Sequence, residues 1–492
     1  MRVFYVLSDL DDWIELAKNM QHELDWEPVY WLSTKKLTAP LQQMFSSLHI
    51  DDFVKINQGK LPSTALLFPL DEAVIHHYLK YEHNALDMMR RLDPDGKSFS
   101  YEEKVQLYYK HLSYALSLFK QYKPQRILFN ESPHSPFSYI LYAVAKEQNI
   151  SIIRFSPTHI DARVLVSSTI EKTSPYFRAY LHESLRQTSS LDPQLQSYIE
   201  NLQADYSTAL PKYMQSIIHK PSLFSRLKNN TKKALRFLQT PPDLYFHTNS
   251  VLFHSRFKGL WFIFNKIKGD LFKRKLLKAY KKEIKPLDLS RPYIYVPLHY
   301  QPEKTTNPEG GVYYDQLLMI TLLSQTLPKE YTLIVKEHPS QFSSQLEGER
   351  GRDLQIYQKL SALTNVTLAP LSYNSFELID AAKAVAVVTG TAALESIMRS
   401  KHALIFGSVW FQECEGILQC KTKEDVKQAF IHIQNSTVKQ KEIVSFFKTL
   451  ELYSLPAYLN PGNKPYTPIS EKKNVENLTQ LLLQYEKNLY GD

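Results

Sequence analysis

Apolar and polar positions alternate along two parts of the chain in the manner of strands and helices. In residues 1–160, short apolar runs predict strands, and the longer stretches between them carry apolar residues at helical spacing. The alternation returns at Arg291 and gives five β-α units in about 145 residues. Strands that alternate with helices are typical of a parallel sheet covered on both faces. The pattern therefore predicts two doubly wound, Rossmann-like α/β lobes.

The predicted strands, in chain order, are Arg2–Ser8, Val29–Ser33, Arg126–Glu131, Ser151–Ser156, Tyr293–Leu298, Tyr331–Lys336, Val366–Pro370, Ala384–Val388 and Ala403–Phe406. The region between the two lobes lacks this alternation, and its sequence pattern favours helices. We therefore interpret it as an inserted segment and linker. The predicted division is residues 1–165 for the N-terminal lobe, 166–288 for the helical insertion, 289–440 for the C-terminal lobe and 441–492 for closing helices.

Glycine is scarce, with 13 residues in a chain of 492. A P-loop needs two glycines five positions apart followed by lysine, and the dinucleotide fingerprint needs glycines two positions apart. The sequence has neither spacing, so a glycine-rich phosphate loop is excluded. A ligand phosphate would instead lie at the start of a helix, where free backbone N–H groups form an anion site.

The positive charge is concentrated in one segment. The net charge is +9, and between Lys220 and Lys285 there are 17 Lys and Arg residues against three acids. Apolar and aromatic residues interleave with these cations, which fits either an anionic membrane surface or a solvated face of packed helices. No nucleic-acid-binding motif accompanies the segment, so we expect no nucleic-acid partner.

The chain has no apolar run near the ~20 residues that span a bilayer, and its first residues predict a strand and not a signal peptide. The only two cysteines, Cys414 and Cys420, exclude a disulfide framework. We therefore expect a cytoplasmic protein. The membrane interpretation of residues 220–285 would place it peripherally on the inner face of the plasma membrane.

Polar residues follow the first predicted strand of the C-terminal lobe. In open α/β sheets, ligands bind beyond the carboxyl ends of the strands, and here His299, Gln301 and Glu303 occupy that position. We assign His299 to a nucleotide and Gln301 and Glu303 to a substrate. The alternative is that these side chains cap the loop.

The second strand of this lobe ends in Lys336, Glu337, His338 and Pro339. Proline fixes its own backbone and keeps the preceding histidine extended, which places an imidazole at the rim of the sheet. Such a histidine can donate to a phosphate or a leaving-group oxygen. We assign Lys336, His338 and Pro339 to nucleotide binding, with a surface turn as the alternative.

Small residues follow the strand that ends at Val388. Gly390, Thr391 and Ala392 lead into a helix and leave its backbone N–H groups accessible to an anion. We assign these three residues to nucleotide phosphate and Glu395, in the first turns of the helix, to ribose hydroxyls. The alternative for Glu395 is an acid that complements the helix dipole.

Glu131 and His134 follow a strand of the N-terminal lobe. A carboxylate and an imidazole are the usual side chains of general acid–base catalysis. Because the strand end should face the second lobe, we assign both residues to catalysis, with packing or capping as the alternative.

Four stretches of the C-terminal lobe share a recognisable pattern, namely 295–303 (YVPLHYQPE), 310–318 (GGVYYDQLL), 335–342 (VKEHPSQF) and 389–396 (TGTAALES). They resemble the bacterial capsule polysaccharide biosynthesis family, which includes Kdo transferases of GT-B architecture that use a CMP-activated sugar. The resemblance covers about residues 290–410, and it extends more weakly to residues 129–142.

The resemblance implies a GT-B fold, with two Rossmann-like domains facing a cleft. It also implies a glycosyltransferase that moves a sugar, such as Kdo from CMP-Kdo, to a capsule or to another cell-surface or lipid-linked acceptor. By position, His338 and Pro339 match the His-Pro motif that contacts nucleotide phosphate, and residues 389–396 match the helix start that holds phosphate and ribose.

Two other functions remain open. A non-catalytic protein for surface-glycan assembly or binding would keep the GT-B shape, and related folds also transfer glycerol phosphate. The sequence has no H-E-x-x-H zinc motif, and its scattered histidines have no zinc-like partners in the sequence. We expect metal-independent chemistry without a cofactor, in which the nucleotide-sugar is a co-substrate.

Overall fold

The computed structural model describes residues 1–93, 99–158, 160–174, 177, 191–204 and 258–490. Residues 220–257 of the basic segment lie outside the described residues. The strands, numbered along the chain, are β1 (Arg2–Val6), β2 (Glu27–Ser33), β3 (His49–Asp52), β4 (Arg126–Phe129), β5 (Ser151–Pro157), β6 (Arg163–Ser167), β7 (Tyr293–Pro297), β8 (Thr332–Lys336), β9 (Val366–Leu368), β10 (Ala384–Val387), β11 (His402–Ile405), β12 (Ile417–Gln419) and β13 (Leu455–Pro456).

These strands form two sheets. The first has the order β13-β6-β5-β4-β1-β2-β3 and the second the order β12-β11-β10-β7-β8-β9. All neighbours in the second sheet are parallel, as are those from β3 to β5 in the first. The prediction of two Rossmann-like α/β lobes is confirmed. One detail differs, because β6 runs antiparallel to β5 and β13 runs antiparallel to β6.

The helices, numbered in the same way, are α1 (Asp12–Leu24), α2 (Lys35–Met44), α3 (Phe53–Asn57), α4 (Glu72–Met89), α5 (Tyr101–Tyr122), α6 (Pro136–Glu147), α7 (Pro193–Ala204), α8 (Lys258–Glu283), α9 (Gln316–Thr326), α10 (Ile356–Ser361), α11 (Ser375–Ala381), α12 (Ala392–Met398), α13 (Lys423–Asn435), α14 (Gln440–Tyr453) and α15 (Glu471–Tyr490). None of the helices in the described ranges combines the length and the apolar composition needed to cross a bilayer.

Both sheets are buried on both faces, because each has an apolar cluster on either side. This explains why their strands are continuous apolar runs and do not alternate with polar residues. Local signals fix the helix next to the site described below: the Ser135 side chain accepts the backbone N–H of Ser138 at the start of α6, and Pro136 occupies the first helical position.

In each sheet there is one point at which the chain stops adding strands on one side and continues on the other. In the first sheet β1 lies between β2 and β4, and in the second β7 lies between β8 and β10. The loops that follow β1 and β4 therefore lead to opposite sides, and so do those that follow β7 and β10. A crevice opens at such a switch point, and it is where ligands bind in open α/β sheets.

Segments outside the two central sheets pack on defined lobes. In the inserted region, Leu195 of α7 shares an apolar cluster with Leu394 of α12, and Leu276 of α8 packs on the opposite face of the second sheet. The end of the chain returns to the first lobe, where Leu478 and Tyr485 of α15 pack in the cluster around α1 and β2.

A buried ion pair fastens α15 to the first sheet. Arg126 of β4 lies with its guanidinium Nη1 2.6 Å from Glu486 Oε1, and both side chains are almost fully buried. The guanidinium also lies over the Trp26 ring, 4.9 Å from its centroid. Because charges buried in this way require a partner, the pair fixes where the last helix docks.

We expect Glu486→Leu to lower the free energy of unfolding by about 3–5 kcal/mol, because it leaves the Arg126 charge buried without its partner. The double variant Arg126→Met, Glu486→Leu removes both charges and should recover most of this loss. Urea unfolding followed by circular dichroism measures both. Equal destabilisation in the single and the double variant would contradict the role of the pair.

Candidate functional site

The loops after β7 and β10 meet at the switch point of the second sheet. The backbone N–H of Thr389 donates to His299 Nε2 over 3.2 Å, so the neutral imidazole carries its proton on Nδ1. Nδ1 lies 3.4 Å from Glu303 Oε2. A Cβ at Gly390 would lie 3.0 Å from His299 Cε1, so glycine at this position lets the ring approach the loop.

Glu337 positions the neighbouring His338. The buried Glu337 carboxylate accepts hydrogen bonds from the His338 backbone N–H, from Arg352 Nε at 3.0 Å and from the Tyr357 hydroxyl at 2.8 Å. Arg352 also donates to the backbone carbonyl of His299 over 2.7 Å. The ends of β7 and β8 are thus held together, and His299 and His338 lie on the same rim.

His338, His299 and Glu303 form one electrostatic group. Burial lowers the pKa of His338, although the charges of Glu303 and Glu337 act in the opposite direction. For Glu303, burial alone would raise the pKa, but the hydrogen bonds from His299 and Thr305 outweigh it and hold the pKa below its ordinary value. The group therefore presents a carboxylate beside two imidazoles at the rim of the second sheet.

Glu309 reaches from the second lobe into the first. Its Oε1 accepts a hydrogen bond from the Ser132 hydroxyl and lies 3.8 Å from Arg154 Nη1, while Arg154 Nη1 donates to Ser132 Oγ over 3.1 Å. Burial raises the pKa of Glu309, against the opposing effects of Arg154 and Ser132. The strand-end pattern did not single out this residue, because it lies twelve positions beyond the last residue of β7, Pro297.

Glu131 and His134 lie on the first-lobe side of the same junction, after β4. Burial raises the pKa of Glu131, the nearby Glu309 adds to this, and Lys304 opposes it. Burial, together with the positive charges of Lys304 and Arg91, holds the pKa of His134 well below its ordinary range. His134 is therefore a neutral imidazole, and Glu131 a carboxyl group that holds its proton more tightly than usual.

Arg91 joins the two groups across the junction. It lies in a short 3-10 turn after α4, donates to the backbone carbonyl of Glu303 over 3.2 Å and also to that of His134. Desolvation lowers its pKa to about 10, so the guanidinium stays charged at neutral pH. The loop of each lobe is thereby held to the same cation.

Two predicted ligand-binding residues, Lys336 and Gln301, make contacts that hold the loops together, and a third, Pro339, makes no such contact among the described residues. The Lys336 ammonium donates to the Tyr373 carbonyl and to Ser375 Oγ at 3.0 Å. The Gln301 side chain donates to Thr306 Oγ1 over 2.7 Å and accepts the Glu303 N–H. Pro339 is exposed and begins a 3-10 turn.

The small residues after β10 lie where the sequence predicts, at the start of α12. Thr391 and Ala392 open the helix, and Thr391 Oγ1 donates to Glu395 Oε1 over 3.3 Å. Burial raises the pKa of Glu395 to about 7, although the Thr391 hydroxyl and Arg399 act in the opposite direction. Glu395 also lies close enough to Tyr198 of α7 to raise the pKa of that phenol.

The structure thus brings five of the predicted residues to the junction of the lobes and adds Arg91, Arg154 and Glu309 to them. The five are Glu131, His134, His299, Glu303 and His338. Such a group can move a proton and can bind an anion, because neutral imidazoles and raised-pKa carboxyl groups lie beside fixed cations. Within the described ranges, no group of three or more His, Cys, Asp and Glu side chains is arranged to hold a metal ion.

The fold and this site define an α/β protein of two Rossmann-like lobes with polar, titratable groups at their junction. Residues 300–442 match the model of the family described as "Capsule polysaccharide biosynthesis protein". The resemblance to the capsule polysaccharide biosynthesis family is confirmed for this segment, which contains Glu303, Glu309, His338 and Glu395. No curated protein matches the chain.

A search of solved structures finds several that are similar to this chain at low identity. The UDP-GlcNAc 2-epimerase of Methanocaldococcus jannaschii is 11% identical, with 92% of this chain and 99% of that chain covered and a TM-score of 0.25. The KpsC beta Kdo 2,7 transferase of Thermosulfurimonas dismutans is 12% identical, with coverage of 78% and 90% and a TM-score of 0.28. The UDP-GlcNAc 2-epimerase of Neisseria meningitidis, bound to UDP-GlcNAc, is 13% identical, with coverage of 98% and 100% and a TM-score of 0.24. At these values the likenesses carry no argument about activity.

We expect the stability of the protein to depend on Glu395 between about pH 4.5 and 7. The folded-state pKa is about 7 and the ordinary value is 4.5, so in this window the folded protein retains a proton that the unfolded chain releases. Stability therefore falls as the pH rises through the window. Glu395→Gln removes this loss and keeps an acceptor for Thr391.

Glu395→Gln should gain stability over wild type by about 2 kcal/mol between pH 4.5 and pH 8, after allowance for the partial exposure of the side chain. Urea midpoints at the two pH values measure the gain. Glu377→Gln is the matched control, because Glu377 is an exposed acid in the first turn of the neighbouring short helix α11. A difference between Glu395→Gln and wild type that stays the same at both pH values would contradict the expectation.

Proposed function

We propose that the protein is a glycosyltransferase that moves a sugar from a nucleotide donor to a cell-surface glycan or lipid-linked acceptor. One observation carries the proposal: Glu131 of the first lobe and Glu309 of the second lie in each other's field, next to the group of His299, Glu303 and His338. Sugar transfer needs a base for the acceptor hydroxyl and donors for the departing phosphate, and this junction has residues suited to both.

The donor would lie on the second lobe. His338 Nδ1 accepts the Ser340 N–H over 3.2 Å, so the neutral ring carries its proton on Nε2. That N–H is suited to donate to a phosphate oxygen, and the start of α12 at Gly390 and Thr391 adds backbone N–H groups nearby. This assignment agrees with the His-Pro motif of the family resemblance, which favours a CMP-sugar such as CMP-Kdo.

The acceptor would lie on the first lobe, next to Glu131. In the transfer step an acceptor hydroxyl oxygen forms a bond to the anomeric carbon, and its proton passes to the Glu131 carboxylate. The bond from the anomeric carbon to the phosphate oxygen breaks, and the nucleotide phosphate leaves with that electron pair. A raised carboxyl pKa makes Glu131 a better base. The neighbouring Glu309 raises this pKa further, and Lys304 lowers it.

Two variants test the donor and the acceptor side separately. We expect His338→Ala to weaken CMP binding at least tenfold, because it removes a hydrogen bond to a charged phosphate, as measured by thermal shift and calorimetric titration. Glu131→Gln should bind CMP as wild type does and lower turnover of CMP-Kdo by about 10²–10⁴-fold, the usual worth of a general base.

His22→Ala is the control for the histidine variant, because His22 is exposed and lies on α1. Full turnover in Glu131→Gln would show that Glu131 is not the catalytic base. The absence of stabilisation by CMP, UDP, GDP and dTDP would contradict nucleotide-dependent transfer and favour a glycan-binding protein without catalysis, whereas a response to CDP-glycerol alone would favour transfer of glycerol phosphate.

The exposed face of α8 supports a second part of the proposal, contact with an anionic membrane surface. Phe264, Ile267 and Leu271 are exposed at helical spacing, and exposed cations lie between and after them on the same helix. These cations are Lys268, Arg274, Lys275, Lys278, Lys281 and Lys282. An apolar row beside cations fits a surface of anionic lipid headgroups.

Neutralising this surface should weaken binding to vesicles. We expect the triple change of Arg274, Lys275 and Lys278 to glutamine to reduce co-sedimentation with phosphatidylglycerol-containing vesicles at least tenfold, because each surface cation contributes about 1 kcal/mol. Lys472, Lys473 and Lys487 of α15, changed in the same way, are the control. Equal binding by the α8 variant and wild type would contradict a membrane contact there.

A further inference from the structure

We propose that Tyr280 of α8 is a positioning residue for His338, because its hydroxyl determines where the carboxyl end of β8 lies. Tyr280 is fully buried, so it would act on a ligand only through His338. The effect on a nucleotide rests on the function proposed above, whereas the effect on the position of His338 rests only on the contacts that Tyr280 makes.

The Tyr280 hydroxyl bridges the ends of two neighbouring strands. It accepts the backbone N–H of Glu337, the first residue after β8, over 3.1 Å. It donates to the backbone carbonyl of Ala369, the first residue after β9, over 2.5 Å. Burial raises the pKa of this hydroxyl well above its ordinary value, so the group keeps the proton that it donates. The two strand ends are thus joined through one side chain of a separate helix.

This bridge takes the place of a bond of the sheet. β8 and β9 are parallel, and the Leu333 N–H donates to the Asn365 carbonyl over 2.8 Å. Hydrogen bonds of a parallel ladder are evenly spaced and recur at every second residue, so the same register leads four residues further to Glu337 and Ala369. There the Tyr280 hydroxyl lies between the donor and the acceptor. The strands are therefore held apart by one hydroxyl group at the point where β8 ends.

The Tyr280 ring contacts groups on both sides of His338. It packs edge-on against Tyr357, with the ring centroids 4.8 Å apart, and the Tyr357 hydroxyl donates to the carboxylate of Glu337. The ring also lies 6.0 Å from that of Phe342, the last residue of the 3-10 turn that begins after His338. The residue before His338 and the turn after it both rest on the same side chain.

Lys273 holds the remainder of this loop from the same face of α8. Its side chain is almost fully buried, and the ammonium donates to the carbonyls of Ser343 over 2.9 Å and Leu346 over 2.7 Å. It also lies 3.4 Å from Glu349 Oε2. A buried ammonium needs such partners. Because Lys273 and Tyr280 are seven positions apart, two helical turns, α8 presents one continuous face to the loop after β8.

The position of His338 follows from this arrangement. β8 lies between β7 and β9 in the sheet, and His299 follows β7. Without the Tyr280 hydroxyl, the Glu337 N–H and the Ala369 carbonyl can bond to each other directly, which draws the end of β8 towards β9 and away from His299. A binding group has to lie within about 0.5 Å of its productive position. Tyr280 therefore keeps the His338 imidazole at the rim that it shares with His299.

The test compares Tyr280→Phe with Tyr293→Phe in the full chain. Each change removes one buried hydroxyl and keeps the ring. Tyr293 is the matched control, because it is fully buried and donates to the Leu378 carbonyl over 2.7 Å, but it is the first residue of β7, at the opposite end of the sheet from His338. A loss of stability alone would affect both variants alike.

Nitrogen-15 NMR of the His338 imidazole, without ligand, tests the positioning directly. We expect one neutral tautomer with its proton on Nε2 in wild type and in Tyr293→Phe, because Nδ1 accepts the Ser340 N–H. Tyr280→Phe should show a mixture of both tautomers, because the shifted strand end loosens that bond. The same tautomer in Tyr280→Phe as in wild type, or the same change in both variants, would overturn the proposal.

Calorimetric titration with CMP tests the consequence for a ligand. We expect Tyr280→Phe to weaken CMP binding about fivefold, the effect of one impaired hydrogen bond, and Tyr293→Phe to bind as wild type does. In a His338→Ala background, Tyr280→Phe should have no further effect, because Tyr280 acts through His338. An equal effect in both backgrounds would contradict the positioning role. A wild type that binds no CMP would contradict the proposed function instead, and the tautomers would still decide whether Tyr280 positions His338.

Discussion

The junction of the two lobes depends on one partly buried carboxylate. Glu309 belongs to the loop after β7 of the second sheet, but its partners Ser132 and Arg154 belong to the first. Arg154 is buried, and a buried charge is stable only when it is paired and hydrogen-bonded, so this contact fixes the loop of one lobe against the strand ends of the other. Glu309 also lies close enough to Glu131 and Glu303 to interact with both electrostatically. The junction therefore contains titratable groups that can take part in chemistry and is not only an interface.

Most of the fold follows from patterns within the sequence. All nine predicted strands are present, because strands buried on both faces are continuous apolar runs that stand out from helices. The edge strands β3 and β12 were missed because polar residues interrupt their apolar pattern, and β6 and β13 were missed because they pair antiparallel, outside the alternation of strands and helices.

The candidate site was predictable where it consists of strand ends. His299, His338 and Glu131 lie beyond the carboxyl ends of their strands, as the topology of parallel sheets requires. Lys336 and Gln301 were chosen by the same rule, but their side chains bond to neighbouring loops, because a strand end shows where the backbone leads and not where a long side chain turns. Arg91, Arg154 and Glu309 lie together at the junction only because the two lobes pack together in one particular way. That packing cannot be predicted from the sequence of either lobe.

The central claim is that Glu131 and Glu309, on different lobes, share one electrostatic site. Carbon-13 NMR titration of the Glu131 carboxyl carbon in wild type and in Glu309→Gln tests it most directly. The account predicts a Glu131 pKa above the ordinary value of 4.5 in wild type and a lower pKa in the variant, because Glu309 raises it. An ordinary pKa in wild type, or the same pKa in both proteins, would contradict the account.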